Sequence, residues 1–404
     1  MLHEIVIIGG GFGGLKIAKK LSSFNNWEKK KIHITVIDKN RYHTFQPNLY
    51  EVASSFMIEN FEGEKERFLN LKSSASVSFE EIFLENLNIS FLEDEFTDID
   101  FKENQVYLKS GNKKDYDFLV IAVGSKTNYF NISGLYENSF PLKNINEALQ
   151  LRNEIDEIFI NTPKNQNINI VIGGGGFTGC ELAGEIAGYI KKLSKIHSHP
   201  ENTVFCTIVD ATTSLISGTS FWTQKKALKR LESLGVKFIL GSPIKEVVNK
   251  KIVLKNELIV PFDILIWTGG VKSSCEKVDD FLRIIDHKNV FGVGDTIFCL
   301  NKKSNTPFPM TASIALRQAS CVAENIKNII LKKDLISRNL NSPGFIIPLG
   351  GKYAILEKGK IKIAGFLPWI LKQIISLQYW ISILGFIKGF KIWKNGVKIF
   401  LKND

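Results

Sequence analysis

Cysteines are few in this chain, and none lies close to another. The 404 residues include 5 cysteines, at positions 180, 206, 275, 299 and 321, and no two of them form a Cys-x-x-Cys motif. An odd number of isolated thiols favours a reducing compartment, because a disulfide framework uses cysteines in pairs. The spacing also argues against a zinc site and against the paired thiols of a disulfide or sulfide reductase. We therefore predict no metal centre.

Long apolar runs are also missing. The first run, Ile5–Ile8, leads directly into glycines, unlike the apolar core of a signal peptide. We predict that it is a strand and that the protein stays on the cytoplasmic side. A later uncharged run, Gln373–Ile387, has 15 residues between two lysines. It falls short of the roughly 20 residues that cross a bilayer, so peripheral, monotopic attachment is predicted instead of a spanning helix.

Acidic residues are missing from the C-terminal part. The net charge of the chain is +11, but nine lysines and no acid lie between Lys358 and Asn403. Without those nine charges the remainder carries only +2. The lysines are interleaved with bulky aliphatic residues in helical phase, with almost no arginine, which is not typical of nucleic-acid binding. The basic character therefore belongs to a tail, and we predict no nucleic-acid partner.

The first glycine-rich motif follows the N-terminal apolar strand. Gly9, Gly11 and Gly14 fit Gly-x-Gly-x-x-Gly and lead into a helical pattern. In this motif the first glycine allows a tight turn, the second lets a pyrophosphate approach the backbone, and the third packs helix on strand. The next strand ends at Asp38, where a carboxylate can accept hydrogen bonds from a ribose diol. Together these features predict a dinucleotide-binding unit.

A second motif of the same kind lies in the middle of the chain. Gly174, Gly176 and Gly179 follow the apolar stretch 168–172, and the next strand ends at Asp210. No Arg or Lys follows Asp210 until position 225. An acid at this position repels a 2′-phosphate and binds a 2′-hydroxyl, so the motif predicts NADH binding in preference to NADPH.

Three further apolar strands end in a glycine or an acid. They end at Gly124, at Gly270 and at Asp295. The two glycines predict points where the chain crosses between domains beside a bound nucleotide. The Asp295 carboxylate can hold the sugar-alcohol chain of a flavin, and a turn-capping role is the alternative.

Four stretches beside the glycine motifs resemble the type II NADH dehydrogenases: Tyr42–Ala53, Gly176–Glu185, Trp267–Val271 and Gly350–Ala354. These enzymes are flavoprotein oxidoreductases with two dinucleotide-binding domains. The resemblance covers essentially the whole chain. It implies a non-pumping NADH:quinone oxidoreductase on a membrane surface, with non-covalently bound FAD, NADH as substrate and a membrane quinone as acceptor.

The resemblance also implies roles for individual residues. Glu181 matches a glutamate near nicotinamide and flavin, and Gln318 matches a glutamine beside flavin and quinone. The alternative for Glu181 is a first-turn acid that complements the helix dipole. A helix capped by Thr311 is expected to direct its N-terminus at the flavin. The other implied residues are Phe12, Gly13, Lys39, Gln46 and Ala312 for FAD, Phe177 and Thr178 for NADH, and Pro47, Tyr50, Ser313 and Arg317 for the quinone pocket.

One segment departs from the family's pattern. The family usually has Ala-Gln-x-Ala-x-Gln-Gln-Gly beside flavin and quinone, whereas residues 312–319 read Ala-Ser-Ile-Ala-Leu-Arg-Gln-Ala. Ser313 and Arg317 thus replace two glutamines, and only Gln318 remains. Two alternatives stay open: a related flavoprotein with another donor or acceptor, such as sulfide, and a membrane-attached NADH-binding flavoprotein with vestigial turnover.

The C-terminal tail has the pattern of an amphipathic helix. Its apolar side chains recur every three or four residues, and its lysines lie mostly on the other face. This predicts a helix in the headgroup plane of an anionic bilayer, where each lysine contributes about 1 kcal/mol. A helix pair buried in a homodimer is the alternative, and both can hold together. The apolar face is Phe386, Phe390, Trp393, Val397 and Phe400, and the lysines are Lys388, Lys391, Lys394, Lys398 and Lys402.

The predicted architecture is α/β with two Rossmann-like domains and a C-terminal amphipathic helical segment. The NADH domain is expected to be inserted in a discontinuous FAD domain. The expected segments are the FAD domain at 1–140 and 270–340, the NADH domain at 141–269, the membrane or dimer segment at 341–404, a solvated helix at 59–72 and strands within 86–108.

Overall fold

The chain folds into two compact units, each built from three stretches of sequence. Unit 1 comprises residues 1–43, 77–126 and 272–343, and unit 2 comprises residues 44–76, 127–271 and 344–404. The computed structural model describes residues 2–24, 31–55, 71–301, 306–338, 340 and 344–401. The helix expected at 59–72 lies outside the described residues except for its last two positions, and Lys402 also lies outside them.

Several helices begin at side-chain caps that the sequence supplies. Asn144, Ser220 and Thr311 each accept a hydrogen bond from the backbone N–H three residues further on, as N-cap residues do. In chain order the helices are α1 (Phe12–Ser22), α2 (Leu49–Ala53), α3 (Phe79–Phe83), α4 (Ile145–Asn161), α5 (Phe177–Ile196), α6 (Phe221–Ser233), α7 (Ala312–Ile330), α8 (Phe366–Leu384) and α9 (Phe386–Phe400).

The strands before the two glycine motifs consist mostly of Ile and Val, which is typical of parallel strands buried on both faces. In chain order the strands are β1 (His3–Ile8), β2 (Ile32–Asp38), β3 (Tyr42–Thr44), β4 (Ser76–Ser78), β5 (Ile89–Glu93), β6 (Phe96–Asp100), β7 (Gln105–Leu108), β8 (Lys113–Asp115), β9 (Phe118–Ile121), β10 (Lys126–Thr127), β11 (Phe140–Pro141), β12 (Ile168–Gly173), β13 (Val204–Val209), β14 (Lys237–Ile239), β15 (Ile244–Val248), β16 (Lys251–Leu254), β17 (Ile259–Pro261), β18 (Ile264–Trp267), β19 (Val271–Lys272), β20 (Glu276–Lys277), β21 (Val290–Gly292), β22 (Ile297–Phe298), β23 (Phe345–Pro348), β24 (Ala354–Lys358) and β25 (Ile361–Gly365).

Unit 1 contains a parallel five-stranded sheet in the order β21–β9–β1–β2–β5. Ile5 of β1 pairs with Ile34 on one side and with Phe118 on the other. Helix α1 connects β1 to β2 and packs against α7. The strand order changes direction between β1 and β9, and such switch points are where open α/β sheets bind ligands.

Unit 2 repeats this arrangement around its own central strand. Its parallel sheet has the order β11–β18–β12–β13–β14, and α5 connects β12 to β13. Two antiparallel sheets, β15–β16–β17 and β23–β24–β25, complete the unit. Helices α8 and α9 follow β25 and pack against each other. The α/β prediction with two Rossmann-like units is therefore confirmed.

The core of unit 2 explains its boundaries, which differ from the predicted ones. Leu49 and Val52 of α2 are buried with the apolar side chains of α4 and α5, and Ile355 of β24 joins the same core. Residues 44–76 were expected in the FAD domain, and residues 344–404 were expected as a separate segment. Their apolar packing places both in the unit that carries the second glycine motif.

The C-terminal segment contains the strands β23 to β25 followed by the two helices α8 and α9. Gly385 separates them with a φ of +78°, in the left-handed region that favours glycine. In the described part of the chain, no helix is both long enough and apolar enough to cross a membrane.

Candidate functional site

The first glycine motif forms the turn between β1 and α1. A Cβ on Gly14 would lie 1.9 Å from the carbonyl oxygen of Gly9, so only glycine lets the helix pack on this turn. A Cβ on Gly11 would meet nothing within 4 Å, so the turn is open at its second glycine. Packing thus requires the third glycine, and the second leaves room for the phosphates of a ligand.

The helix that follows this turn has an N-terminus suited to an anion. Gly11 is the N-cap of α1, and no side chain of the described residues caps it. The first N–H groups of such a helix, with their partial positive charge, favour phosphate. Phe12 and Gly13 are buried in the first turn, where a Cβ on Gly13 would lie 2.7 Å from Cγ2 of Val293.

Asp38 links the end of β2 to the same turn. Its Oδ2 accepts a hydrogen bond from Gly10 N at 2.8 Å, and its Oδ1 accepts one from Asn40 N at 2.8 Å. A carboxylate has about four lone-pair sites, so Asp38 retains acceptor capacity for a ribose diol. The neighbouring Lys39 is exposed.

Asp295 lies in a hydrogen-bonded turn of unit 1. Ser125 Oγ donates to Asp295 Oδ2 at 2.6 Å, and Gly294 N donates to Gln318 Oε1 at 2.7 Å. Gln318 is only 2% exposed. Gly124 N donates to the hydroxyl of the residue after Asp295, which ties the two strand ends together. Gln318, assigned to catalysis from the sequence, is thus engaged in supporting the Asp295 turn.

Helix α7 begins as the sequence predicts. The Thr311 hydroxyl accepts a hydrogen bond from Ile314 N at 3.4 Å and caps the helix. Ala312 and Ser313 are half-buried in the first turn, and Arg317 is exposed. The N-terminus of α7 is therefore formed as expected, and Ser313 and Arg317 lie in unit 1.

His43 supports the first glycine turn from within unit 1. Its Nδ1 lies 3.0 Å from the carbonyl oxygen of Gly10, and its ring contacts Phe12 edge to face at 5.4 Å. Burial lowers the pKa of His43 to about 4, and the backbone hydrogen bond opposes this shift only in part. The ring is neutral at pH 7, so Nδ1–H donates to Gly10. This geometry matches a fold residue better than a proton relay.

The second glycine motif forms the turn between β12 and α5. A Cβ on Gly179 would lie 1.9 Å from the carbonyl oxygen of Gly174, and a Cβ on Gly176 would meet nothing within 4 Å. Gly176 is the N-cap of α5, again without a side-chain cap among the described residues. Phe177 and Thr178 are exposed at this end of the helix. Both glycine turns therefore present the same cradle.

Asp210 closes the second turn as Asp38 closes the first. Its Oδ2 accepts a short hydrogen bond from Gly175 N, and its Oδ1 accepts one from Thr212 N at 2.6 Å. No cationic side chain bonds to this carboxylate among the described residues, so a 2′-phosphate would be repelled. Gly270 is held by its carbonyl oxygen, which accepts a hydrogen bond from Asn128 N at 3.0 Å.

A buried ion pair in unit 2 was not predicted from the sequence. Lys372 Nζ of α8 donates to Glu51 Oε1 of α2 at 2.5 Å and lies 3.4 Å from Asn48 Oδ1. The Tyr50 hydroxyl donates to the same Glu51 oxygen at 3.3 Å. Both charged side chains are buried. The available signal was Lys372 itself, the one charged residue between positions 363 and 387, which the sequence analysis used only as a boundary.

Glu181 on α5 belongs to the same electrostatic cluster. Burial raises the pKa of Glu181 to about 8; the Lys372 ammonium lowers it and the Glu51 carboxylate raises it. Tyr50 has its pKa raised well above the usual range by burial and by the same carboxylates. Near neutral pH Glu181 is therefore mostly protonated and can donate a proton.

The cluster borders a small cavity of about 20 Å³ within unit 2. Glu51 lines this cavity, and its second oxygen, Oε2, is buried without a hydrogen-bond partner among the described residues. The other lining residues are Glu185, Gly351, Trp369, Gln373, Val397, Phe400 and Leu401. This cavity, lined by two glutamates and a glutamine as well as by apolar side chains, has room for about one water molecule.

The remaining residues implied for flavin and quinone lie in unit 2. Tyr50 is buried beside Glu51, and Pro47 is half-buried in the turn before α2. Gln46 is exposed, and its Nε2 lies 3.4 Å from the carbonyl oxygen of Lys143. Within unit 2, Tyr50 is thus the member of the implied quinone pocket that bonds to the Glu51–Lys372 pair.

Comparison with known proteins agrees with these features. The family model described as pyridine nucleotide-disulphide oxidoreductase matches residues 3–319. Among relatives, the type II NADH:quinone oxidoreductase of Staphylococcus haemolyticus (strain JCSC1435) is 28% identical over 81% of this chain and 82% of its own. That of Staphylococcus aureus (strain MSSA476) is 27% identical over 96% of this chain and 98% of its own.

Solved structures share the fold. NDH2 from Plasmodium falciparum in complex with NADH superposes with a TM-score of 0.84 at 19% identity and covers 99% of both chains. The sulfide:quinone oxidoreductase of Aquifex aeolicus has a TM-score of 0.76 at 21% identity, over 99% of this chain and 96% of its own. At these identities the likeness establishes the fold alone.

Proposed function

Because this chain belongs to the pyridine nucleotide-disulphide oxidoreductase family, we propose that it is a type II NADH:quinone oxidoreductase. Such an enzyme passes hydride from NADH to FAD and two electrons on to a membrane quinone without pumping protons. The observation that carries the proposal is the pair of glycine turns, each open at its second glycine and each bonded to a carboxylate. Relatives named for this activity match the chain over nearly its full length.

Unit 1 fits FAD. Gly11 leaves room for the pyrophosphate, Asp38 offers its carboxylate to the ribose, and Asp295 offers a positioned carboxylate to the sugar-alcohol chain. When bound, the isoalloxazine of FAD accepts the hydride and supplies the electrons for the quinone, a reaction that side chains cannot perform themselves. The N-terminus of α7, capped by Thr311, carries a partial positive charge. In this proposal that charge stabilises the negative charge of the reduced isoalloxazine ring.

Unit 2 fits NADH. The N-terminus of α5 at Gly176 favours the pyrophosphate, and Asp210 favours a ribose that has a free 2′-hydroxyl. In this proposal unit 2 binds and orients NADH, and the negative charge of Asp210 disfavours the 2′-phosphate of NADPH.

Glu181 is assigned as the proton donor for the quinone. Quinone reduction consumes protons as well as electrons, and a carboxylic acid with a pKa of about 8 carries its proton at pH 7. Ser313 and Arg317 remain candidate quinone contacts, and Gln318 is assigned to the support of the Asp295 turn.

We infer that the C-terminal helices bring the enzyme to the cytoplasmic face of the membrane. Phe386 and Ile387 at the start of α9 are 70% and 83% exposed, and Leu367 of α8 is 62% exposed. Lys388 and Lys391 lie beside them and are exposed. Exposed apolar residues beside lysines suit an anionic bilayer surface. A homodimer that presents two such surfaces to one bilayer is compatible with this proposal.

The function is tested by following the two half-reactions of the flavin-loaded protein. Purified protein should be yellow, bleach with NADH in the absence of oxygen, and recolour when a short-chain quinone is added. Bleaching without recolouring by quinone would contradict the assigned acceptor. Bleaching with sulfide, for which the separated cysteines provide no pair, would favour the sulfide alternative. A colourless preparation after flavin supplementation would end the proposal.

A further inference from the structure

Phe130 of unit 2 is an exposed aromatic residue in a backbone conformation that bulky residues rarely adopt. Its side chain is 55% exposed, and its φ is +52°, in the left-handed region. Asn131 follows with a φ of +54°, but asparagine is a residue type enriched in this region, whereas phenylalanine is strained there. A ring that stays mostly exposed gains little from burial to offset that strain. The fold alone would favour glycine or asparagine at position 130, so the ring calls for another role.

Asn128 and Trp267 hold this ring in a defined place. Phe130 N donates to Asn128 Oδ1 at 3.0 Å, and Trp267 Nε1 donates to the carbonyl oxygen of Asn128 at 2.8 Å. The rings of Phe130 and Trp267 meet edge to face, with their centroids 6.4 Å apart. Trp267 is the last residue of β18, so the Phe130 ring is fixed at the end of that strand.

The ring also lies close to the second glycine motif. A Cβ on Gly270 would lie 2.9 Å from Cζ of Phe130, so the ring packs directly on Gly270. A Cβ on Gly174 would lie 2.6 Å from Cα of Gly269, so the backbone just before Gly270 touches the first glycine of the motif. The exposed part of the Phe130 ring is therefore next to the turn that leads into α5.

The strand order determines which part of a dinucleotide would meet this ring. Strand β12 lies between β13 and β18, and all three run parallel, so their carboxyl ends share one edge of the sheet. Asp210 follows β13 and Gly270 follows β18, which puts them on opposite sides of the glycine turn. In the proposed function Asp210 binds the adenosine ribose and the N-terminus of α5 binds the pyrophosphate. The nicotinamide end of NADH then extends toward β18 and Phe130.

We propose that Phe130 is a substrate-binding residue whose exposed ring contacts the nicotinamide ring of NADH. The inference rests on the proposed function. Nicotinamide is planar and apolar on both faces, and an aromatic side chain packs well against such a ring. The contact removes apolar surface of both rings from water, which stabilises the bound donor. The strained backbone at position 130 is thus explained by the binding of substrate.

Phe130→Ala tests the proposal when NADH is compared with ADP-ribose, which lacks only the nicotinamide. Stopped-flow reduction of the flavin-loaded protein without oxygen gives the dissociation constant of NADH, and competition gives that of ADP-ribose. The dissociation constant of NADH should rise about tenfold, the usual worth of one ring-on-ring contact, and that of ADP-ribose should stay the same. The matched control is Phe221→Ala, which removes a ring that is 77% exposed at the start of α6 and should change neither value.

Phe130→Gly distinguishes this role from a structural one. Glycine adopts a positive φ without strain, so the thermal unfolding temperature should not fall, while the affinity for NADH should fall as in Phe130→Ala. Unchanged NADH binding in both variants would overturn the proposal. Equal weakening of NADH and ADP-ribose, together with a loss of stability, would also overturn it, because the ring would then only support the fold. Wild-type protein whose flavin is not reduced by NADH would instead contradict the proposed function.

Discussion

Asp38 and Asp210 show which part of the site follows from local sequence. Each ends the strand after a glycine motif, and each carboxylate accepts a hydrogen bond from the backbone of that motif. The strand and turn pattern alone fixes this position, so both residues could be predicted. The Glu51–Lys372 pair could not be predicted, because only folding brings α2 and α8 together.

We predict that Asp210→Asn weakens NADH binding and reduces the preference of the enzyme for NADH over NADPH. The amide oxygen can still accept from Gly175 N, but the charged hydrogen bond to the ribose is lost. The KM for NADH should rise about tenfold, the usual worth of one charge-assisted hydrogen bond. Steady-state kcat/KM with both nucleotides measures the effect. Asp263→Asn, which alters a carboxylate bonded to Asn169 N in the same unit, is the control.

At Glu181, we predict that glutamine slows reoxidation of the flavin by quinone about 100-fold, the usual range for loss of a general acid. The wild-type rate should fall as the pH rises through about 8, because the acid form is then lost, and the variant should lack this dependence. Separate half-reaction kinetics measure both effects. A variant that keeps the wild-type pH profile would show that another group is the donor.

His43 gives a prediction about stability and pH. Its pKa is about 4 in the folded protein against 6.5 for the free side chain, so only the unfolded chain gains the proton between these values. The contribution of His43 to the free energy of unfolding should therefore be constant above pH 6.5 and fall by up to about 3 kcal/mol as the pH drops to 4, while the raised pKa of Glu181 acts in the opposite direction. Urea unfolding of the wild type and of His43→Gln, each at pH 7 and 4.5, isolates the His43 contribution as the difference between the two proteins. His43→Gln should lose the dependence, whereas His33→Gln, at a partly exposed site, should keep it.

At the scale of elements, the strand–turn–helix pattern predicted both glycine turns. The apolar periodicity of the tail predicted helix α9 but not which of its apolar residues are exposed. Phe386 and Phe390 are exposed as expected, whereas Phe400 packs against the core of unit 2 and Val397 lines the cavity. A period of 3.6 residues identifies an apolar face but does not say whether lipid or protein covers it. The first half of α9 therefore fits the interfacial prediction, and the second half is part of the fold.

The two kinds of glycine in the first motif should respond differently to alanine. Gly14→Ala places a Cβ against the Gly9 carbonyl oxygen, so the turn must shift and the protein should lose stability and FAD together. Gly11→Ala meets no atom within 4 Å, so it should fold normally and lose affinity for FAD alone. Thermal unfolding with and without FAD, together with flavin titration, separates the two cases. Equal loss of stability in both variants would contradict this division.

At the scale of the whole molecule, the sequence predicted a discontinuous domain but not its boundaries. The glycine motifs mark where each unit begins its sheet, whereas the assignment of residues 44–76 depends on the packing of Leu49 and Val52 against α4 and α5. Local patterns show that such residues are apolar without showing which core they enter. Boundaries of this kind become visible only in the folded chain.

Attachment to membranes is predicted to depend on the lysines of α9. Replacing Lys388, Lys391 and Lys394 by glutamine should reduce binding to anionic liposomes by about 3 kcal/mol in total, at about 1 kcal/mol for each lysine. Activity with a short-chain quinone should persist, because these side chains are exposed and none of them belongs to a glycine motif. Co-sedimentation with liposomes measures the change. The control is a triple glutamine variant at Lys225, Lys226 and Lys229; equal loss of binding in both variants would argue against an α9 anchor.

The buried ammonium of Lys372 determines which face of α8 packs against the protein. The outer face of α8, at Leu367, Leu371 and Ile374, is exposed and apolar, while Lys372 points inward to Glu51. Lys372 is paired with Glu51 inside the protein, so the inner face of α8 is committed to the fold and only the outer face is available to a bilayer. If α8 meets a bilayer, we therefore expect it to lie parallel to the surface with this outer face toward the acyl chains, whatever the thickness of the membrane.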